Sequence, residues 1–262
     1  MAKEKWEKDV DARIFGERTE SEEFNKKIIK PWQELRPKET EFTGVYSAEE
    51  IKRDLDLVKK IKNSQDYVDA KTEAAIVAEY GLPYLIEDEQ ILGAASVSLA
   101  SEFDDLKRGV DLVLRYSAEG NDYYVAIDFK TNAGGREDDY RVRESVNKSI
   151  DDVRSNRLRE IKYFVGSQDN SKKRIEAPRI VVVFDSEEML QLRDILPIPL
   201  NKRTHVQKEK IEKIKESLIY KMQNFCKSMI EATEQLMTRS SEPQKENIVR
   251  LCKRFLNFIE QQ

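Results

Sequence analysis

Apolar positions along the chain alternate between a period of two and a period near 3.6, a switching that predicts an α/β protein. Residues 109–130, GVDLVLRYSAEGNDYYVAIDFK, read as a β-hairpin. If Tyr116 pairs with Tyr123 across a six-residue turn from Ser117 to Asp122, Leu114 falls opposite Val125, Leu112 opposite Ile127 and Val110 opposite Phe129. That face is wholly apolar. On the reverse face Arg115 meets Tyr124, Val113 meets Ala126, and Asp111 lies across from Asp128, with Lys130 two residues further on.

Upstream, DAKTEAAIVAEYGLP predicts a helix that ends at Gly81, with Pro83 as the stop signal. On it Glu73, Ile76, Val77 and Tyr80 share one face. Downstream, Val146, Ile150, Val153, Ile161 and Phe164 predict a helix over about 139–165, and the apolar run RIVVVFD predicts a strand at 179–185, covered on both faces. A helix beginning near Ser186 follows by N-cap logic.

Helices flank this core. Ser47 and Glu50 form a capping-box pair, and Ile51, Leu55 and Val58 carry that helix to about Asn63. Before it, Trp6, Ile14, Phe15, Phe24, Ile28, Ile29 and Trp32 predict helical arms interrupted by Pro31 and Pro37. At the other end Ile211, Ile214, Leu218, Met222, Phe225, Met229, Thr233 and Leu236 predict one long helix. After a break at 238–241, Pro243 opens a second helix with Ile248, Leu251, Phe255, Leu256 and Ile259. The expected divisions are therefore 1–64, 65–200 and 201–262: N-terminal helical arms, an α/β core and a C-terminal helical hairpin. That hairpin braces the core or makes a homodimer, with packing inside the chain favoured.

Chemistry enters with the two aspartates. Like charges opposite each other weaken a sheet, and carboxylates about 4 to 5 Å apart repel by roughly 3 to 4 kcal/mol at an effective dielectric near 20. A hairpin needing only stability has no use for that, whereas a cation site does. Glu73, in an apolar stripe, is expected to point at the same place. Three carboxylates and the Lys130 ammonium leave a charge that one Mg2+ or Mn2+ balances through hard oxygen ligands.

A helix bearing a glutamate, a strand bearing an aspartate, and a next strand ending in Asp128-Phe129-Lys130 together resemble the core of the PD-(D/E)XK nuclease superfamily, over residues 66–185. Val110 stands where the written motif has proline. The tripeptide also occurs at Glu50, Asp105 and Glu160, so strand context carries the match. The resemblance implies a restriction-endonuclease-like core, a central mixed β-sheet flanked by helices. It also implies Glu73, Asp111 and Asp128 as metal-binding carboxylates, the Phe129 carbonyl as a further ligand, and Lys130 as the group that orients or activates the attacking water. In such nucleases the helix after the lysine often adds a polar group; Asn147 and Lys148 are the candidates, with Arg141 as a further phosphate contact. Gly134 and Gly135 read as a connector; SEFDDLKR reads as a solvated loop, the alternative being that Asp104 and Asp105 stand behind the acids of the site.

The expected activity is divalent-metal-dependent hydrolysis of phosphodiester bonds in nucleic acid, DNA favoured. The alternative is a nuclease-like fold that binds nucleic acid or supports assembly without catalysis. A net charge of −4 argues mildly against tight non-specific binding of nucleic acid but leaves local basic regions open. His205, the only histidine, sits in a polar connector and is left out of the site. Cys226 and Cys252 on apolar helical faces read as reduced packing residues, and the absence of a signal peptide or transmembrane run leads to an expected cytoplasmic protein with no membrane partner.

Overall fold

The hairpin register organises the structure, a computed structural model that describes residues 22–64, 72–132, 136–155, 157–166, 171–237 and 243–262. Strands β1 (Ser96–Leu99), β2 (Leu112–Ala118) and β3 (Asn121–Asn132) form an antiparallel meander, and β6 (Arg179–Asp185) pairs parallel to β3, giving a mixed four-stranded sheet. Leu112 faces Ile127, Leu114 faces Val125 and Tyr116 faces Tyr123, as the alternation predicts. The ladder continues to Ala118–Asn121, so the turn is two residues long rather than six. Glu119 and Gly120 both have positive φ, 54° and 76°, which suits the right-handed twist of the strands.

Leu112, Leu114, Ile127, Phe129, Ile180, Val182 and Phe184 send one face of the sheet into the main core. Helix α3 (Glu73–Glu87) packs there, capped by the Thr72 hydroxyl. It passes through Gly81 and Pro83 instead of stopping. A proline inside a helix costs about 3 kcal/mol, but Leu82 just before it and Leu85 and Ile86 beyond it have no exposed surface and contribute roughly 1.5 to 3 kcal/mol each. Burial wins. Gly81 is a close-packing position, not a cap: a Cβ there would lie 2.9 Å from Leu196 Cδ1, at the end of α6 (Ser186–Ile195). The cap of α6 is Asp185, reciprocally bonded with Glu188, rather than Ser186.

The opposite face of the sheet carries α5 (Arg136–Arg154) and a separate antiparallel pair, β4 (Arg159–Val165) with β5 (Lys172–Ala177). The single helix expected over 139–165 is thus a helix followed by a strand. The ladder is irregular between Ile161 and Phe164, which puts both in one cluster with Ile175 and Ala177 and imitates helical spacing. SEFDDLKR is also not a loop. It forms α4 (Glu102–Arg108), capped by Ser101 and closed by Gly109 at φ 63°, with Asp104 buried and accepting the Lys162 and Tyr163 amides at 2.9 Å.

A π-helical turn at Asn25–Ile29 runs into α1 (Lys30–Leu35), so Pro31 is accommodated inside a continuous helical segment. Helix α2 (Ala48–Lys62) keeps the Ser47–Glu50 capping box, and Asp54 on it accepts from Tyr163 Oη and Lys162 Nζ, both at 2.6 Å. Helices α7 (His205–Met237) and α8 (Pro243–Ile259) form the C-terminal pair; their Ile211, Ile214, Leu218, Met222, Phe255 and Ile259 enter the same core as Phe24, Ile28 and Trp32. Cys226 and Cys252 are buried free thiols. Trp6, Ile14, Phe15, Gly134, Gly135 and the 238–241 break lie outside the described residues. Among the described residues no helix is long and apolar enough to cross a membrane.

At the outer edge of the sheet the Val97 N–H donates to Glu87 Oε2 at 2.7 Å. At the other end of the hairpin, Glu119 occupies a left-handed conformation that costs a side-chain-bearing residue about 1 kcal/mol. Glu119→Asn, giving an Asn-Gly turn, is expected to raise the thermal unfolding midpoint by about 2 to 4 °C; an unchanged or lower midpoint in calorimetry contradicts the turn assignment.

Candidate metal and phosphate site

Asp128 is the centre of the site because it has no exposed surface and stays ionised through two cations. Burial raises its pKa, but Lys130 and Arg179 outweigh that and leave it below the usual range. Lys130 Nζ donates to Asp128 Oδ1 and, at 3.2 Å, to the Phe129 carbonyl. Arg179 Nη2 donates to Asp128 Oδ2. Lys130 itself loses hydration, yet Asp128 and Asp111 hold its pKa above the ordinary lysine value, so it is an ammonium.

Asp111 comes to the same place by a route the alternation did not predict. The regular ladder begins at Leu112, and the Asp111 carboxylate accepts the Phe129 N–H instead of lying in register with Asp128. With the ladder broken there, Val110 packs among Val113, Ala126 and Ile161 rather than beside Phe129. Asp111 is driven well above the normal carboxylate pKa, first by loss of solvent, against Lys130, and then by the charges of Asp128, Asp105 and Glu79.

Glu79, not Glu73, is thus the α3 acid that acts on Asp111. Glu73 sits in the first turn, where Arg193 Nη1 donates to it at 3.1 Å. Glu79 lies mid-helix and shares Arg36 with Asp105, the latter at 3.2 Å. Because α3 starts only at Glu73, that acid lies at the helix end and Glu79 lies in its interior. Glu79 is the one acid inside the apolar run 74–86, a signal the sequence did carry.

Helix α5 presents Ser145 and Ser149 toward the sheet, and the Ser145 hydroxyl bonds Asp128. Asn147 and Lys148 are exposed, with Lys148 paired to Glu144 at 2.8 Å one turn back, so neither meets the acids. The side chain of Arg141 lies outside the described residues. His205 is exposed and pairs with Glu209.

Among the described residues no three His, Cys, Asp or Glu side chains are arranged as a ready metal cage. The oxygen donors nevertheless suit a hard cation: Asp128 Oδ1 and the Phe129 carbonyl converge on one ammonium, and Asp111 bonds the adjoining amide. Two carboxylates and a carbonyl, completed by water and phosphate, are a usual set for Mg2+. Comparison with protein-family models, with curated proteins and with solved structures found no match.

A raised carboxyl pKa means that the folded state binds a proton more tightly than the unfolded chain, so Asp111 removes stability as pH rises above about 4. Asp111→Asn keeps an oxygen acceptor for the Phe129 amide. It is expected to raise the unfolding midpoint of the metal-free protein by a few degrees at pH 8, and by less at pH 5. Equal or opposite changes at the two pH values contradict this placement.

Proposed function

We propose that the protein is a divalent-metal-dependent phosphodiesterase acting on nucleic acid, DNA favoured, with a restriction-endonuclease-like core of the PD-(D/E)XK type. One observation carries the reading: Asp128 Oδ1 and the Phe129 carbonyl are gathered on the Lys130 ammonium, with Asp111 beside them. The mixed sheet supports it, since an antiparallel pair brings Asp111, just before β2, and Asp128 together, and the chain returns after α5 and the β4–β5 pair as a strand parallel to β3. Comparable sheets carry unrelated activities, so the site and not the fold bears the weight.

Asp111, Asp128 and the Phe129 carbonyl would hold Mg2+ or Mn2+, which supplies a Lewis acid for the phosphate and a more acidic water. Lys130, which donates to Asp128 Oδ1, is the group that such a cation would have to displace. Freed in this way, its amine would donate a hydrogen bond to a phosphate oxygen as negative charge builds there. Glu79 and Asp105 add negative potential at Asp111, which would favour a cation there. Their own charge is tempered by Arg36, brought by the segment after α1.

A second reading, a nucleic-acid-binding or assembly module without catalysis, is favoured by the occupation of Asp128 Oδ2 by Arg179. The two separate in one experiment, in which linear, circular and single-stranded DNA are incubated with Mg2+, Mn2+ or EDTA. Cleavage is expected with either metal and none with EDTA. Lys130→Ala should lower the rate by about 100-fold or more while Mn2+ still binds, and Asp111→Asn should abolish both. Cleavage that survives both substitutions refutes the assignment of this site; DNA binding with neither cleavage nor Mn2+ uptake supports the module.

A further inference from the structure

The two cations on Asp128 are not equivalent. The Arg179 side chain is 2% exposed and that of Lys130 27%. Arg179 spends its donors on three separate elements: Nε on the Gly109 carbonyl at 3.0 Å, Nη1 on the Ser145 carbonyl of α5 at 3.4 Å, and Nη2 on Asp128 Oδ2. A planar guanidinium anchored at three points has no freedom to swing, whereas an ammonium on a four-carbon stem can leave one oxygen for another.

The backbone is shaped around this group. In the parallel pairing of β3 with β6, Arg179 is level with Ala126 and Val181 with Asp128, so Arg179 lies two residues back on the same strand face as the aspartate's neighbour. The small Ala126 leaves room for the guanidinium to reach along the sheet. Gly109 yields from the other side: a Cβ there would stand 2.9 Å from Arg179 Nη2, and its φ of 63° disfavours any side chain as well.

We propose that Arg179 is the positioning residue of the site, permanently holding Asp128 Oδ2 so that Oδ1 alone is offered to an exchangeable cation. The inference rests on the metal reading above and adds to it an order of events: Lys130 moves and Arg179 stays. It makes Asp128 a one-oxygen ligand whose direction is set by the same group that ties Gly109, two residues before Asp111, to α5.

The test uses the full chain and Mn2+ itself, followed by electron paramagnetic resonance, with DNA cleavage measured in parallel. Arg179→Leu and Arg179→Lys are expected to weaken Mn2+ binding by about 10- to 100-fold, the range for groups that orient a metal ligand. Lysine should retain more affinity than leucine, and kcat should fall while KM for DNA is unchanged. Removing one partner of a buried ion pair can unfold a protein. If the leucine variant does not fold, the lysine variant decides. A folded Arg179→Lys protein with wild-type Mn2+ affinity and wild-type kcat overturns the proposal. Hydrogen exchange at the Arg179 Nε–H, read by NMR without metal, separates the clamp from the metal reading. Slow exchange in a protein that takes up no Mn2+ keeps the clamp and removes the nuclease. Exchange as fast as that of an exposed arginine removes the clamp whether or not metal binds.

Discussion

A carboxylate with no contact with water stays charged only if cations are brought to it, and the interior of this protein is arranged to meet that requirement at Asp128. β3 supplies Lys130, the neighbouring parallel strand supplies Arg179, and α5 closes over both with Ser145. Each element is held by apolar burial on its far side, but their common contact is electrostatic. Coulomb attraction between buried groups repays desolvation only when geometry and extra hydrogen bonds are good. The clamp on Arg179 gives that geometry.

Around this pair the remaining charges form a gradient. Asp128 is held below the carboxylate range and Asp111 above it, although both belong to one cluster. The difference lies in their partners: Asp128 has two cations in contact, while Asp111 has a backbone amide and the added fields of Asp105 and Glu79. The same low-polarity pocket thus treats two neighbouring carboxyls in opposite ways. Arg36 enters the same cluster from the N-terminal segment, so that segment helps set the charge balance as well as the packing.

The sheet was legible because its signal is local: alternation over β2 and β3 fixes register once one face is apolar, and the ladder from Leu112 to Ile127 follows it. Where the chain departs from regularity, periodicity misleads. The irregular ladder at Ile161 and Phe164 counterfeits a helix, and Asp111 leaves the ladder yet still reaches Phe129. Gly81 and Pro83 read as a terminus because local propensity carries no information about the core that surrounds them. That Asp111, Asp128 and Lys130 lie close together could be read from strand context. The place of Arg179 could not, since its partners lie 34 to 70 residues away in sequence.

The bond between Glu87 and the Val97 amide matters beyond the strand it terminates. An outer strand with free amides is a template on which a second chain can add itself, the first step of uncontrolled association. Here a helix from the core lays its own carboxylate over that template. The same helix that carries Glu79 therefore also takes one amide of the outer strand out of reach of a second chain.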